Sequence, residues 1–252
     1  SQGGRVLVGR TSPTEARPYQ AIVEALQAVL PLLAAQSGDE LHLSILSSLF
    51  PELKTRQPLP ALPSLEADRE RLRLFSILAA SLEQLAAQRP LLVIIEDLHW
   101  AGEATAALVE FLARRAARAP ILLLGTYRDE ETPRLHPLRQ LRRRLQGEVT
   151  IEHTALSHLS PAAVDCLLAS LPSESLPALP GGQSLSARLY TESEGNPLFI
   201  ELLLQNWREN GLTEEVPGSL RAVIGRHLER LPATARAFAE TAAVLGPAFD
   251  AE

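Results

Sequence analysis

The sequence predicts an α/β fold in which a parallel sheet lies in a three-layer arrangement with helices, followed by an all-helical region. Three observations carry this expectation. Short apolar runs, RVLVGR at 5–10, LLVIIEDLHWA at 91–101 and ILLLGTY at 121–127, alternate with stretches of helical periodicity. Residues 103–118 supply, between the second and third runs, a helical crossover long enough for parallel pairing. After Leu159 the strand pattern stops and only helical patterns follow.

Taken in order, the first run ends at Gly9 and Arg10, as a buried parallel strand would. From Tyr19 to Leu33 the apolar residues Ile22, Val23, Leu26, Val29, Leu30 and Leu33 recur at helical spacing, with Pro31 expected to kink the end. Residues 51–65, PELKTRQPLPALPSL, read as an extended proline-rich loop. A helix from Asp68 to Gln88 follows, built on Leu72, Phe75, Leu78, Leu82 and Leu85. Pro90 opens the second strand, and the third strand runs into Arg128 and three acidic residues. An arginine-rich helix is expected over 135–146 and a fourth strand within Val149–Leu156. Ser160-Pro161 begins a helix as an N-cap with proline at the first position. Further helices are expected at 185–194, from 197, at 218–230 and at 234–245.

Composition excludes several classes. The 252 residues can bury a real core without staples, and the single cysteine, Cys166, excludes an internal disulfide framework or a multi-thiolate zinc site. That cysteine usage, with no secretory signal, fits a reducing compartment and a cytoplasmic location. No apolar run reaches the roughly 20 residues that span a bilayer, so no membrane association is expected. A net charge of −6 argues against direct nucleic-acid binding. Methionine is absent and Lys54 is the only lysine. The chain is therefore expected to be a fragment or processed product whose natural start lies upstream.

The chemistry concentrates at the end of the second strand, where Glu96 and Asp97 follow five apolar residues. Open parallel sheets place ligands at strand carboxyl ends, and an acid pair there can hold magnesium and orient a water. A buried strand must equally end in something polar, which is the bland alternative. His153 and His158 lack a third ligand for zinc. The arginines at 134, 139, 142, 143 and 144 fit a solvated helix face, and Cys166 fits a core position.

The segment LLVIIEDLHWA resembles the Walker B strand of STAND-class ATPases, AAA-related P-loop NTPases found in large bacterial signalling and transcriptional regulators. The resemblance implies that Glu96 and Asp97 serve Mg²⁺ and the hydrolytic water. Gly125-Thr126-Tyr127-Arg128 is similar to the family's sensor segment, which makes Arg128 a γ-phosphate contact; an isolated arginine there would instead pair with Asp129 or Glu131. Gly195-Asn196-Pro197-Leu198-Phe199 is similar to the lid element whose proline packs near adenine, making Gly195 and Pro197 nucleotide contacts; ordinary punctuation between two helices is the alternative. The last segment, from Val216, resembles the start of the winged-helix region that follows the lid.

The resemblance therefore implies a P-loop NTPase-like α/β domain at 1–159, a helical lid at 160–212 and the start of a winged-helix domain at 213–252. It implies a switch module that binds ATP or ADP with Mg²⁺ and signals through other domains of the same protein. The family's Gly-Lys-Ser/Thr phosphate loop is absent from the sequence. The chain is thus expected to begin after that loop and its strand, which the family places between the strand ending at Arg128 and the one near 149–156. Unpaired apolar edges and self-association are the expected consequence. A degenerate, non-catalytic scaffold of the same fold is the alternative.

Overall fold

The computed structural model describes residues 3–13, 18–36, 39–56, 58–172, 176, 184–210, 225, 228–229 and 231–245. The chain divides into two compact units, Ser1–Glu152 and His153–Glu252.

In the first unit three strands pair in parallel in the order β1 (Arg5–Arg10), β2 (Leu91–Glu96), β3 (Ile121–Gly125). Register places Leu7, Val93 and Leu123 in one cross-strand row and Val8, Ile94 and Leu124 in the next. Because side chains alternate along a strand, these rows belong to opposite faces. The face of Leu7, Val93 and Ile95 is buried beneath helices.

Those helices follow from their sequences. The expected helix over 19–33 is two helices, α1 (Gln20–Gln27) and α2 (Leu30–Gln36). Pro31 has no N–H to continue the ladder, so the chain turns before it and the proline falls in the first turn of the second helix. Residues after Asp39, whose side chain accepts from Leu41 N, form α3 (Glu40–Leu46). The proline-rich stretch contains a short helix, α4 (Leu53–Arg56), before it extends. Helix α5 (Ala67–Gln88) has acidic residues in its first turn and stops at Arg89, which is extended ahead of Pro90. It buries Phe75, Leu78, Leu82 and Leu85. Helix α6 (Glu103–Ala116) is the crossover from β2 to β3, and α7 (Pro137–Leu145) buries Leu138, Leu141 and Leu145.

Two expectations need correction here. No strand forms within Val149–Leu156: only an isolated bridge joins Gln146 to Val149, and Leu156 is almost fully exposed. A strand persists only within a hydrogen-bonded ladder, and this segment joins none of the three paired strands. The opposite face of the sheet also carries no helix layer among the described residues. Val6, Val8, Leu122 and Leu124 on that face are 55%, 46%, 65% and 47% exposed. The described residues of the unit therefore form two layers where three were expected.

The second unit contains α8 (Pro161–Ser170), α9 (Leu185–Ser193), α10 (Pro197–Asn210) and α11 (Ala233–Leu245). Ser160 caps α8 by accepting from Ala163 N, with Pro161 in the first turn as its sequence predicts. Val164, Leu168, Leu189, Ile200, Leu203, Leu204 and Trp207 form its core. Cys166 is exposed, contrary to the core expectation. Val164 and Leu168, four apart, define the buried face of α8, and a residue midway between them points away. Most of the helix expected at 218–230 and most of the winged-helix segment lie outside the described residues; residues 225, 228 and 229 are helical. No helix among the described residues is long and apolar enough to cross a membrane.

Candidate functional site

Parallel pairing brings the carboxyl ends of β1, β2 and β3 to one edge of the sheet. Arg10 is the register partner of Glu96. Beyond Glu96 the chain reverses at Asp97, which adopts a left-handed backbone with φ 58°. Aspartate tolerates that region better than most residues, and the conformation is held by neighbours on both sides. The Asp97 N–H donates to Thr126 Oγ1 at 3.1 Å, Leu98 N–H donates to Thr126 O at 2.8 Å, and Thr126 N–H donates to Ile95 O at 3.0 Å. From the β1 side the buried Thr11 hydroxyl reaches the carbonyls of Glu96 at 3.3 Å and Asp97 at 2.5 Å. The acid pair is thus fixed through its backbone by the residues that follow both neighbouring strands.

Its side chains are about one-third exposed, at 35% for Glu96 and 31% for Asp97. The Arg10 guanidinium lies against them. Nε and Nη2 both donate to Glu96 Oε2, at 2.9 and 2.5 Å, and Nε is 3.7 Å from Asp97 Oδ2. The hydrogen bond to Glu96 and the charge of that carboxylate hold the arginine pKa above its ordinary value. Sequence reading took Arg10 as the end of a strand and missed it. The signal available was its place at the end of the first apolar run, but only register shows that this end adjoins Glu96.

Arg128 follows β3 and donates from Nη1 to Glu131 Oε1 at 2.9 Å, so the structure shows the acidic pairing that was the bland alternative for this residue. The other oxygen of Glu131 is 3.4 Å from Nε2 of His99, whose side chain is wholly buried and whose ring nitrogens make no hydrogen bond. His99 is tied to α7 through its carbonyl, which accepts from His136 Nε2 at 2.8 Å while His136 Nδ1 accepts from Leu138 N at 3.1 Å. These two contacts together require the neutral tautomer of His136 with its proton on Nε2. Two arginines of α7 form ion pairs, Arg139 with Asp129 at 3.1 Å and Arg144 with Glu110 at 2.7 Å.

Gly195 and Pro197 belong to the second unit. Gly195 has φ 75°, and its carbonyl accepts from Leu159 N at 2.8 Å. A Cβ there would lie 2.1 Å from the Leu159 carbonyl oxygen, so glycine is required by conformation and by close approach. Pro197 is the first residue of α10.

No group of three or more His, Cys, Asp or Glu side chains converges among the described residues in a way that could hold a metal ion. Glu96 and Asp97 supply hard oxygen donors, which suits Mg²⁺, a cation that takes one or two protein carboxylates and completes its shell with water and phosphate. The cationic group already resting on the pair shows that it attracts positive charge. No curated protein and no solved structure matches the chain. Residues 1–124, a span that holds Arg10, Glu96 and Asp97 and stops short of Arg128, Gly195 and Pro197, match the family model of the AAA ATPase domain, which supports an AAA-related ATPase module in this part of the chain.

Proposed function

We propose that the chain is most of the nucleotide-binding switch module of a STAND-type ATPase within a larger regulatory protein, with ATP or ADP and Mg²⁺ as ligands. The observation that carries this reading is the acid pair at the carboxyl end of β2, pinned on both sides by the ends of parallel neighbours inside the span that matches the AAA ATPase domain. Glu96 and Asp97 would hold the cation and orient a water. Bound Mg²⁺ supplies neutralisation of phosphate charge. Arg128 would exchange Glu131 for a phosphate oxygen, a change that a permanently charged guanidinium can make without altering its protonation. Gly195 and Pro197 would lie near the base, as the family resemblance implies.

The sequence has no Gly-Lys-Ser/Thr loop, and its backbone amides would make most of the phosphate contacts. The 252-residue chain is therefore expected to release phosphate from ATP no faster than buffer. Turnover that depends on Glu96 in this chain would overturn the reading. The coding sequence upstream of Ser1 provides the complementary test, since a Gly-Lys-Ser/Thr motif within about 40 residues is expected if the module is nucleotide-driven.

A non-catalytic scaffold is the second reading. It is favoured by the internal pairing of Glu96 with Arg10 and of Arg128 with Glu131. In either case the open face of Val6, Val8, Leu122 and Leu124 is expected to make the chain self-associate. Sedimentation velocity should show a concentration-dependent oligomer that the double variant Leu122→Lys, Leu124→Lys shifts toward monomer. A parent chain that is monomeric at every concentration would exclude association through this face.

A further inference from the structure

Arg10 is 61% exposed, yet its guanidinium is not left to solvent. Holding a long side chain in one geometry at the surface costs rotamer entropy, which attraction to nearby carboxylates must offset. Two adjacent carboxylates at one strand end supply that attraction. The arrangement is anchored through the backbone. Arg10 N–H donates to Glu24 Oε2 of α1 at 3.0 Å, and the next residue, Thr11, is the buried clamp on the Glu96 and Asp97 carbonyls. Both guanidinium contacts converge on Glu96 Oε2, and the same Nε faces Asp97 Oδ2. The positive group therefore lies against an oxygen of each carboxylate that a divalent cation would use.

We propose that Arg10 is a built-in counter-ion of the Glu96–Asp97 pair, which a divalent cation must displace, so that this arginine sets the affinity of the pair for metal. The proposal rests on the reading of the pair as a cation site. In the metal-free state the Arg10 guanidinium offsets the repulsion between the two carboxylates. When a cation binds, that service is redundant, and the arginine is repelled by the incoming charge. Neutralising position 10 should then strengthen metal binding, the reverse of what removal of a merely structural ion pair would do.

The test uses Mn²⁺ alone with the 252-residue chain, reading free ion from its paramagnetic resonance signal. Arg10→Gln, which keeps polarity and part of the side-chain stem without the charge, is expected to bind Mn²⁺ roughly three- to fivefold tighter than the parent, the scale of an exposed ion pair. Arg10→Lys, which keeps charge but loses the paired donors, should gain about twofold. Adding Asp97→Asn should abolish the gain. Equal or weaker binding by folded Arg10→Gln, while Asp97→Asn still weakens binding by the parent, overturns the counter-ion role and leaves the cation site standing. Absence of Asp97-dependent binding in both the parent and Arg10→Gln overturns the site itself and the proposal with it. Circular dichroism establishes that each variant is folded. Should Arg10→Gln unfold, Arg10→Lys decides, and an affinity equal to the parent's overturns the proposal.

Discussion

Gly9→Val is expected to unfold the first unit at a temperature roughly 10 °C below the parent, through a packing loss of about 3 kcal/mol in a domain whose total stability is about 5–15 kcal/mol. Gly9 lies on the helix-covered face of β1, in register with Ile95. A Cβ at this position would be 1.7 Å from the Ala21 carbonyl oxygen and 3.1 Å from the Ala25 N. Both atoms are main-chain atoms of α1, so no side-chain rotation can make room. The helix must withdraw, and with it go the contacts of Ile22 and Leu26, which are 1% exposed each. The same withdrawal would pull Glu24 from the Arg10 N–H and so loosen the site edge. Gly3→Ala, with nothing within 4 Å of its Cβ, serves as the control and should leave the midpoint unchanged. A Gly9→Val midpoint within about 2 °C of the parent would show that α1 does not pack on β1 at this distance.

The second large effect concerns chemistry. In a parent protein that carries a phosphate loop, Asp97→Asn is expected to lower ATP turnover roughly a hundredfold or more while changing nucleotide affinity only a few-fold. The reasoning is electrostatic. Asparagine is close in size and can keep the left-handed backbone, so the hydrogen bonds of Asp97 N–H and Asp97 O to Thr126 and Thr11 survive. What disappears is the negative charge. Glu96→Gln should act in the same direction and should also release Arg10, whose two donors would face a neutral amide. Phosphate release under saturating ATP, alongside fluorescence of a bound nucleotide analogue, separates chemistry from binding. Unchanged turnover in both variants would remove the pair from the mechanism.

Much of the sheet and the acid pair was legible because the signals are local. A run such as Leu91–Ile95 between Pro90 and two carboxylates cannot be an amphipathic helix, and its polar end marks the edge of a buried element. The same holds for Ser160-Pro161, where a capping hydroxyl and a missing N–H both suit a first helical turn. The site was legible only in part. Glu96, Asp97 and Arg128 could be named from their strand ends, and Glu131 was one of two local partners open to Arg128, but the partner of the acid pair could not be named. Arg10 and Glu96 are 86 positions apart, and nothing within either segment announces the other.

The sequence by itself determined the alternation of strands and helices, the change to a helical region after Leu159, and the strand end that presents two acids, because backbone sterics and hydrophobic periodicity act over a few residues. Tertiary structure decided the rest. It turned Gly9 from a strand end into the contact point for α1, and Arg10 into the counter-ion of the acid pair. It left Val149–Leu156 outside the sheet and exposed one apolar face of the sheet. Each of these depends on which distant segment lies alongside. A ladder needs a neighbour, a close approach needs a second backbone, and a charge is worth only what faces it.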